Sequence, residues 1–139
     1  MSRRCYRWED RHIHARDLSV VPFDQAQSIV DYVWSKAGLT YPPKIRPISK
    51  NAKKTRANAS RLQIRIPKSG IKTTILLHEI AHSMTSDALG ASDRHGPRFV
   101  GVFMHLLCQH IPTFQLAQLM YTAKLASVDF NFDGPMHYA

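Results

Sequence analysis

The chain of 139 residues carries 19 Lys and Arg against 10 Asp and Glu, a formal net charge of +9 with its eight histidines neutral. With 44% apolar residues, this length predicts one folded domain and excludes a multidomain architecture or wholesale disorder. No stretch approaches the roughly 18 consecutive apolar residues of a membrane-spanning helix, and no signal-peptide pattern follows the N-terminal arginines. Because Cys5 and Cys108 form no CxxC pair, we expect a reducing, cytoplasmic setting.

The positive charge is concentrated in two parts of the chain. No acidic residue lies between Asp31 and Glu79, and residues 36–72 are rich in lysine and arginine. A contiguous positive surface attracts polyanions, so this stretch predicts nucleic acid or an acidic protein as a partner. A solvated surface without a partner explains the charge equally well, because no nucleic-acid-binding motif accompanies it. The second basic group opens the chain and comprises Arg3, Arg4, Arg7, Arg11 and Arg16.

The first half of the chain predicts one helix and short extended segments. Residues 1–21 form a basic arm whose structure stays open between an extended arm and a strand. Apolar residues at helical spacing predict a helix over 23–37, with Asp24 as its N-cap and Gly38 as its stop. Three prolines then favour an extended piece at 44–49 and a polar basic loop at 50–59. In 61–66 strict alternation places Leu62, Ile64 and Ile66 on one face of a half-buried strand that Pro67 ends.

The second half predicts three helices. Thr73 or Thr74 caps a helix that runs to about residue 85, and a Gly/Ser/Asp-rich loop follows over 86–95. Pro97 suits the first turn of the next helix, which Ile111–Pro112 stops. Thr113 caps the last helix, and the tail 128–139 has no regular pattern. The order of elements predicts an α+β fold.

Residues 78 to 82 carry the clearest chemical signal, the HExxH string His78-Glu79-Ile80-Ala81-His82. On a helix, histidines four residues apart share one face, so both imidazoles can reach one metal ion. Glu79 lies beside them and is placed to act as a general base on a metal-bound water. The apolar periodicity around the string predicts the required helix independently. The competing interpretation is two surface histidines and a glutamate on an ordinary helix.

A catalytic zinc ion takes three protein ligands and keeps one position open for water. His95 is the favoured third ligand, because it follows a loop long enough to turn the chain back and precedes a helix. Asp87 or Asp93 as an oxygen ligand is the main alternative. The remaining histidines have weaker claims: His105 and His110 lie on a predicted helix, His137 lies in the tail, and only proximity in sequence recommends His12 and His14.

The two motifs together resemble the SprT-like zinc metallopeptidases. HEIAH is followed, thirteen residues after His82, by His95-Gly96-Pro97-Arg98-Phe99, and in that family HExxH precedes an HGxxF or HGxxW segment. The resemblance covers roughly residues 60–107. It implies a minimal zincin-like domain over 22–127, with an N-terminal helix, a small antiparallel sheet, the HExxH helix and further C-terminal helices. It also implies one Zn²⁺ on His78, His82 and His95, Glu79 as the base, and an edge strand at 61–66 that receives an extended peptide.

Two functions from different classes follow. The first is a zinc metallopeptidase acting on protein or peptide substrates; the alternative is a basic nucleic-acid-binding protein on a zincin-like scaffold with structural or lost metal. Metal-dependent hydrolysis of a phosphodiester ranks third. A second-sphere acceptor for the imidazoles is expected from Asp87, Asp93 or backbone carbonyls. The sequence does not choose an oxyanion donor among Arg94, Arg98, Tyr121, His137 and Tyr138.

Overall fold

A computed structural model describes residues 3–49 and 56–135 of the chain. Over these residues it shows α-helices and a small mixed sheet, which confirms the α+β class. None of its helices is both long and apolar enough to cross a bilayer. The helices are α1 (Arg3–His12), α2 (Phe23–Lys36), α3 (Thr73–Met84), α4 (Pro97–His110) and α5 (Leu116–Leu125), and a short 3₁₀ helix covers His14–Arg16. The strands are β1 (Lys44–Pro47), β2 (Asn58–Ala59) and β3 (Gln63–Ile66).

The N-terminal segment, for which an extended arm or a strand was open, forms helix α1. Its inward face consists of Cys5, Trp8 and Glu9, which are at most 1% exposed. The indole Nε1 of Trp8 donates a hydrogen bond to Thr122 Oγ1 at 3.0 Å, which ties α1 to α5. Burial of one large aromatic side chain therefore anchors a helix whose other residues are mostly charged.

The sheet has the strand order β1-β3-β2, with β1 parallel and β2 antiparallel to β3. The expected antiparallel sheet is wrong for β1, because the chain between β1 and β3 crosses to the far side of β3 and forms β2 there. The expected edge strand at 61–66 is also wrong, since β3 is the central strand. The outer strands of the described sheet are β1 and β2.

The alternation in 61–66 holds only from Gln63 onward. Ile64 and Ile66 are fully buried, but Leu62 is 60% exposed and Arg61 only 5% exposed, so the inward assignment of Leu62 is wrong. The Arg61 guanidinium donates to the carbonyls of Tyr41 at 2.9 Å and Thr40 at 3.3 Å and lies over the Trp34 ring. These contacts pull Arg61 inward and turn its neighbour out to solvent.

The predicted N-caps are wrong for three helices. Pro22, Lys72 and Gln115 occupy the N-cap positions of α2, α3 and α5, and none makes a side-chain capping bond. At α3 a distant residue replaces the cap, because Asp17 Oδ2 accepts a hydrogen bond from the Thr74 backbone N–H at 2.8 Å. Burial opposes ionisation of Asp17, but hydrogen bonds from Ser19 and Thr74 outweigh it and lower its pKa.

Residues 128–135 have no regular secondary structure, as predicted for this part of the tail; residues 136–139 lie outside the described residues. This segment packs on α4, where the Asn131 N–H donates to the Pro97 carbonyl at 3.0 Å. A Cβ at Gly101 would lie 1.6 Å from the Asn131 carbonyl oxygen, so only glycine allows this approach.

We expect Asp17→Asn to lower the free energy of unfolding at pH 7 by about 1 kcal/mol, because it weakens the cap at the α3 N-terminus. The folded-state pKa of Asp17 is depressed, so its contribution is present above the unfolded pKa, near 3.9, and is lost as pH falls through the folded value. Urea denaturation at pH 7 and in acid measures both effects. The control Asp129→Asn, an exposed aspartate, should change little at either pH; equal effects of the two variants would contradict the assignment.

Candidate metal centre

The structure brings three histidines together at the centre of the molecule. His78 and His82 lie one turn apart on α3, and His95 lies in the loop before α4. His95 Nε2 is 2.8 Å from His82 Nε2 and 3.3 Å from His78 Nε2. In a tetrahedral zinc site with Zn–N bonds of 2.0–2.1 Å, ligand nitrogens lie about 3.3 Å apart. These three nitrogens could therefore hold one metal ion.

The loop before α4 positions His95. Asp87 Oδ1 accepts from the Leu89 and Ala91 N–H groups, both at 2.9 Å, and so closes the loop on itself. Asp93 Oδ2 accepts from the Phe99 N–H at 2.9 Å at the start of α4. The two aspartates, expected as alternative ligands or as imidazole acceptors, instead shape the loop that carries His95.

Aromatic side chains of α4 back the imidazole cluster. The Phe99 ring stacks on His82 with centroids 4.2 Å apart and lies edge-on to His78 at 5.0 Å and His95 at 4.9 Å. Phe103 lies edge-on to His78 at 5.5 Å. These rings restrict the rotamers of the histidines and exclude water from one side of the cluster.

A buried carboxylate on α1 orients His78. Glu9 Oε1 accepts from His78 Nδ1 at 2.5 Å and from His14 Nε2 at 2.9 Å, and the Cys5 thiol donates to Glu9 Oε2 at 3.4 Å. Because Nδ1 of His78 donates to this carboxylate, its Nε2 lone pair is free to face the other two histidines. Glu9, His14 and His78 also form a second group of close ligand atoms; two hydrogen bonds to one carboxylate account for it.

Sequence reasoning missed Glu9 and found no argument for His14. Glu9 lies 69 residues before His78 in the chain, so no local spacing connects them. The sequence did hold one signal. Glu9 directly follows Trp8 and lies four residues after Cys5, a spacing that places Cys5 and Glu9 on the same face of a helix. A charged residue at a buried helical position indicates a partner inside the fold.

The protonation states of His82 and His95 suit metal binding, whereas the raised pKa of His78 favours its charged form, whose proton a metal ion must displace. Burial lowers the pKa of His82 to about 2 and that of His95 to about 4, and neighbouring imidazoles reinforce both shifts. Both side chains are therefore neutral at pH 7, with lone pairs available. Burial opposes the charged forms of Glu9 and His78 alike. Hydrogen bonds from His14 and His78 outweigh it at Glu9 and lower the pKa of Glu9 to about 2, and the hydrogen bond to Glu9 raises the pKa of His78.

Glu79 is 5% exposed and faces the same cluster. Its Oε1 lies 3.8 Å from His78 Nε2, and its Oε2 has no hydrogen-bond partner among the described residues. Burial raises the pKa of Glu79 to about 7; the charge of Glu9 adds to the rise and that of His78 opposes it. A buried, unpartnered carboxylate oxygen beside three convergent imidazoles fits a site that takes a metal ion and a water molecule.

Two cavities border this centre, and together they are called the cleft below. One of about 430 Å³ is lined by Ile71 and Ile75, and one of about 340 Å³ by Arg94 and the edge strand β2. His78, Glu79, Ala57 and Tyr6 border both. His78 and Glu79 therefore lie where the two cavities adjoin.

The lining of the cleft reduces the number of candidate oxyanion donors that the sequence left open. Arg94 lines it, whereas Tyr121, 64% exposed on α5, and Arg98 line neither cavity. Tyr6, which sequence reasoning did not consider, borders both. His137 and Tyr138 lie outside the described residues.

The other histidines and the basic stretch lie elsewhere or have other roles. His105 contacts Phe132, and His110 contacts Tyr32. Within the basic stretch 36–72, Lys50, Lys53 and Lys54 lie outside the described residues. Arg61 is buried, and Lys72 donates to the His14 carbonyl at 3.0 Å, so these two cations support the fold.

Comparisons of the chain with models of protein families, with curated proteins and with solved structures find no match.

We expect Glu9→Gln to weaken zinc binding about 10- to 100-fold, because glutamine lacks the charge that orients and polarises His78. Competition against a chromophoric chelator measures the affinity. Asp10→Asn, which removes the adjacent exposed carboxylate of α1, is the matched control and should bind zinc like the parent protein. Equal affinities of the two variants would show that Glu9 does not act on the metal ligands.

Proposed function

We propose that this protein is a zinc-dependent metallopeptidase of the SprT-like, minimal zincin type that hydrolyses peptide bonds in protein or peptide substrates. His78, His82 and His95 hold one Zn²⁺, and Glu79 is the general base. The observation that carries the proposal is the convergence of three Nε2 atoms beside the unpartnered Glu79 oxygen in an open cleft. The spacing of HEIAH and HGPRF supports it.

The ligand set favours zinc and a catalytic site. Three imidazoles with an accessible fourth side are typical of catalytic zinc, whereas structural zinc sites are closed by four protein ligands and are commonly rich in cysteine. Neither cysteine belongs to the histidine group: the Cys5 thiol donates to Glu9, and Cys108 lies on α4. A merely structural metal would also leave the position of Glu79 unexplained.

A bound zinc ion supplies Lewis acidity and lowers the pKa of a water molecule in the site. Glu79 accepts a proton from the attacking water molecule as the water oxygen forms a bond to the peptide carbonyl carbon. When the C–N bond breaks, Glu79 passes that proton to the leaving amine.

The cleft suits an extended peptide. Strand β2 borders the 340 Å³ cavity and, within residues 3–49 and 56–135, pairs with β3 on one side only, so a substrate segment can add to its outer edge. Residues on either side of the scissile bond then occupy the two cavities. Arg94 in one cavity, Arg56 in the other and Tyr6 in both have donors suited to a substrate carbonyl oxygen.

We expect Glu79→Gln to lower peptide cleavage by a factor of about 10²–10⁴, the usual contribution of a general base, with zinc content unchanged. Cleavage of a mixed peptide pool by zinc-loaded protein, followed by mass spectrometry, measures it. Elemental analysis of the same samples separates loss of chemistry from loss of metal. Undiminished cleavage by the variant would exclude Glu79 as the base.

We expect His95→Ala to lose the single zinc ion that the parent chain binds, because two remaining imidazoles hold zinc weakly. Elemental analysis of protein purified without added metal tests this stoichiometry. His105→Ala, a change at an exposed histidine of α4, is the matched control and should keep the metal. Full zinc occupancy in His95→Ala would show that the ligand set is wrong.

A further inference from the structure

Helix α1 lines a second cavity besides the metal cleft. Arg4, Arg7 and Arg11 line a groove of about 690 Å³ whose floor includes Trp8 and Ala126, the residue after α5. Tyr6 and Glu9 instead line the metal cleft. Different residues of α1 therefore line two cavities, and Asp10 borders both.

The three arginines of this groove are exposed and unpaired. In residues 3–49 and 56–135, none of them lies within 4.0 Å of a carboxylate, and every ion pair found there involves a histidine. Asp10 is the acidic residue in the lining, and His12 adds a further nitrogen donor. The groove thus carries three arginines against one aspartate, and among the described residues none of the three is ion-paired.

Mutual repulsion of these arginines disfavours helix α1, although Arg11 itself lies in the last turn, where the helix dipole favours a cation. Arg4, Arg7 and Arg11 are spaced three and four residues apart, where like charges repel each other across one helix face. Arg3 and Arg4 also lie at the positive end of the helix dipole, and the first turn contains no acidic residue. A locally unfavourable pattern in an otherwise well-packed helix is typical of a binding site.

We propose that this groove binds a ligand that carries several phosphate groups in a chain. The guanidinium fork matches phosphate oxygens in a two-point contact, which a lysine cannot make. Arg4 and Arg11 are seven residues apart, about 10 Å along the helix axis, which exceeds the reach of one phosphate group. A nucleic-acid backbone and inorganic polyphosphate both provide this chemistry, and the proposal does not depend on peptide hydrolysis.

The test measures binding of a labelled single-stranded oligonucleotide by fluorescence anisotropy, and binding of tripolyphosphate by calorimetry and by competition. The variant is Arg4→Gln/Arg7→Gln/Arg11→Gln. The control, Arg46→Gln/Arg65→Gln/Lys68→Gln, removes the same charge from exposed positions on β1, β3 and the turn after it. We expect at least tenfold weaker binding in the variant and less than a twofold change in the control. For the oligonucleotide, the slope of log affinity against log salt should fall by about 2 in the variant.

The two probes distinguish the sources of phosphate. Arginine-dependent binding of the oligonucleotide that tripolyphosphate does not displace supports a nucleic-acid backbone, and arginine-dependent binding of tripolyphosphate alone supports a free polyphosphate. Equal weakening in variant and control would show only diffuse attraction and would overturn the proposal. Absence of binding to both probes would also overturn it.

Two further measurements separate a specific guanidinium–phosphate contact from a loss of folding and from a loss of charge alone. The triple variant should melt at the same temperature as the parent chain or higher, because repulsion along α1 is removed. The single variant Arg7→Lys keeps the charge and loses the fork. It should weaken binding while the salt slope stays unchanged, and unaltered affinity in this variant would contradict a guanidinium–phosphate contact.

Discussion

The structure depends on one buried charge, the Glu9 carboxylate. A carboxylate removed from water is costly unless hydrogen bonds and opposite charge compensate it. Here Cys5, His14 and His78 all donate to Glu9, which is 0% exposed. Since His78 also belongs to the candidate metal site, the packing of α1 and the geometry of that site share one interaction.

A second layer of contacts fixes the segment after α1 to the start of the HExxH helix. His14 Nδ1 and Thr74 Oγ1 lie 2.8 Å apart, and the Ser19 and Thr73 hydroxyls lie 2.6 Å apart. With the Asp17 cap, these bonds satisfy polar groups at the first turn of α3. Residues 14–19 thus hold the helix that positions His78 and Glu79, although they carry no recognisable motif.

Periodicity and motif spacing predicted the parts of the fold that local sequence determines. α2, α3 and α4 have apolar faces at helical spacing, and the loop before Pro97 placed His95 near the other histidines. Helix α1 was not predicted, because one of its three buried residues is the charged Glu9 and the apolar pattern of the helix is therefore incomplete. Arg61 is buried and Leu62 exposed, the reverse of what alternation predicts, because alternation contains no information about a distant hydrogen-bond acceptor such as the Tyr41 carbonyl. Long-range partners, not local propensity, decided each of these positions.

The sequence of helix α1 disfavours an isolated helix, so the geometry of the candidate metal site depends on the docking of α1. A ten-residue helix is marginal on its own, and arginines in its first turn weaken it further. Its stability therefore comes from docking, through burial of Trp8 and the hydrogen bonds to Glu9. Opening of α1 removes the carboxylate from His78 Nδ1 before any contact within α3 or α4 is lost. The orientation of His78 is consequently coupled to the docking of α1 through a hydrogen bond, whereas His95 meets this helix through a ring contact with Tyr6, with centroids 5.6 Å apart.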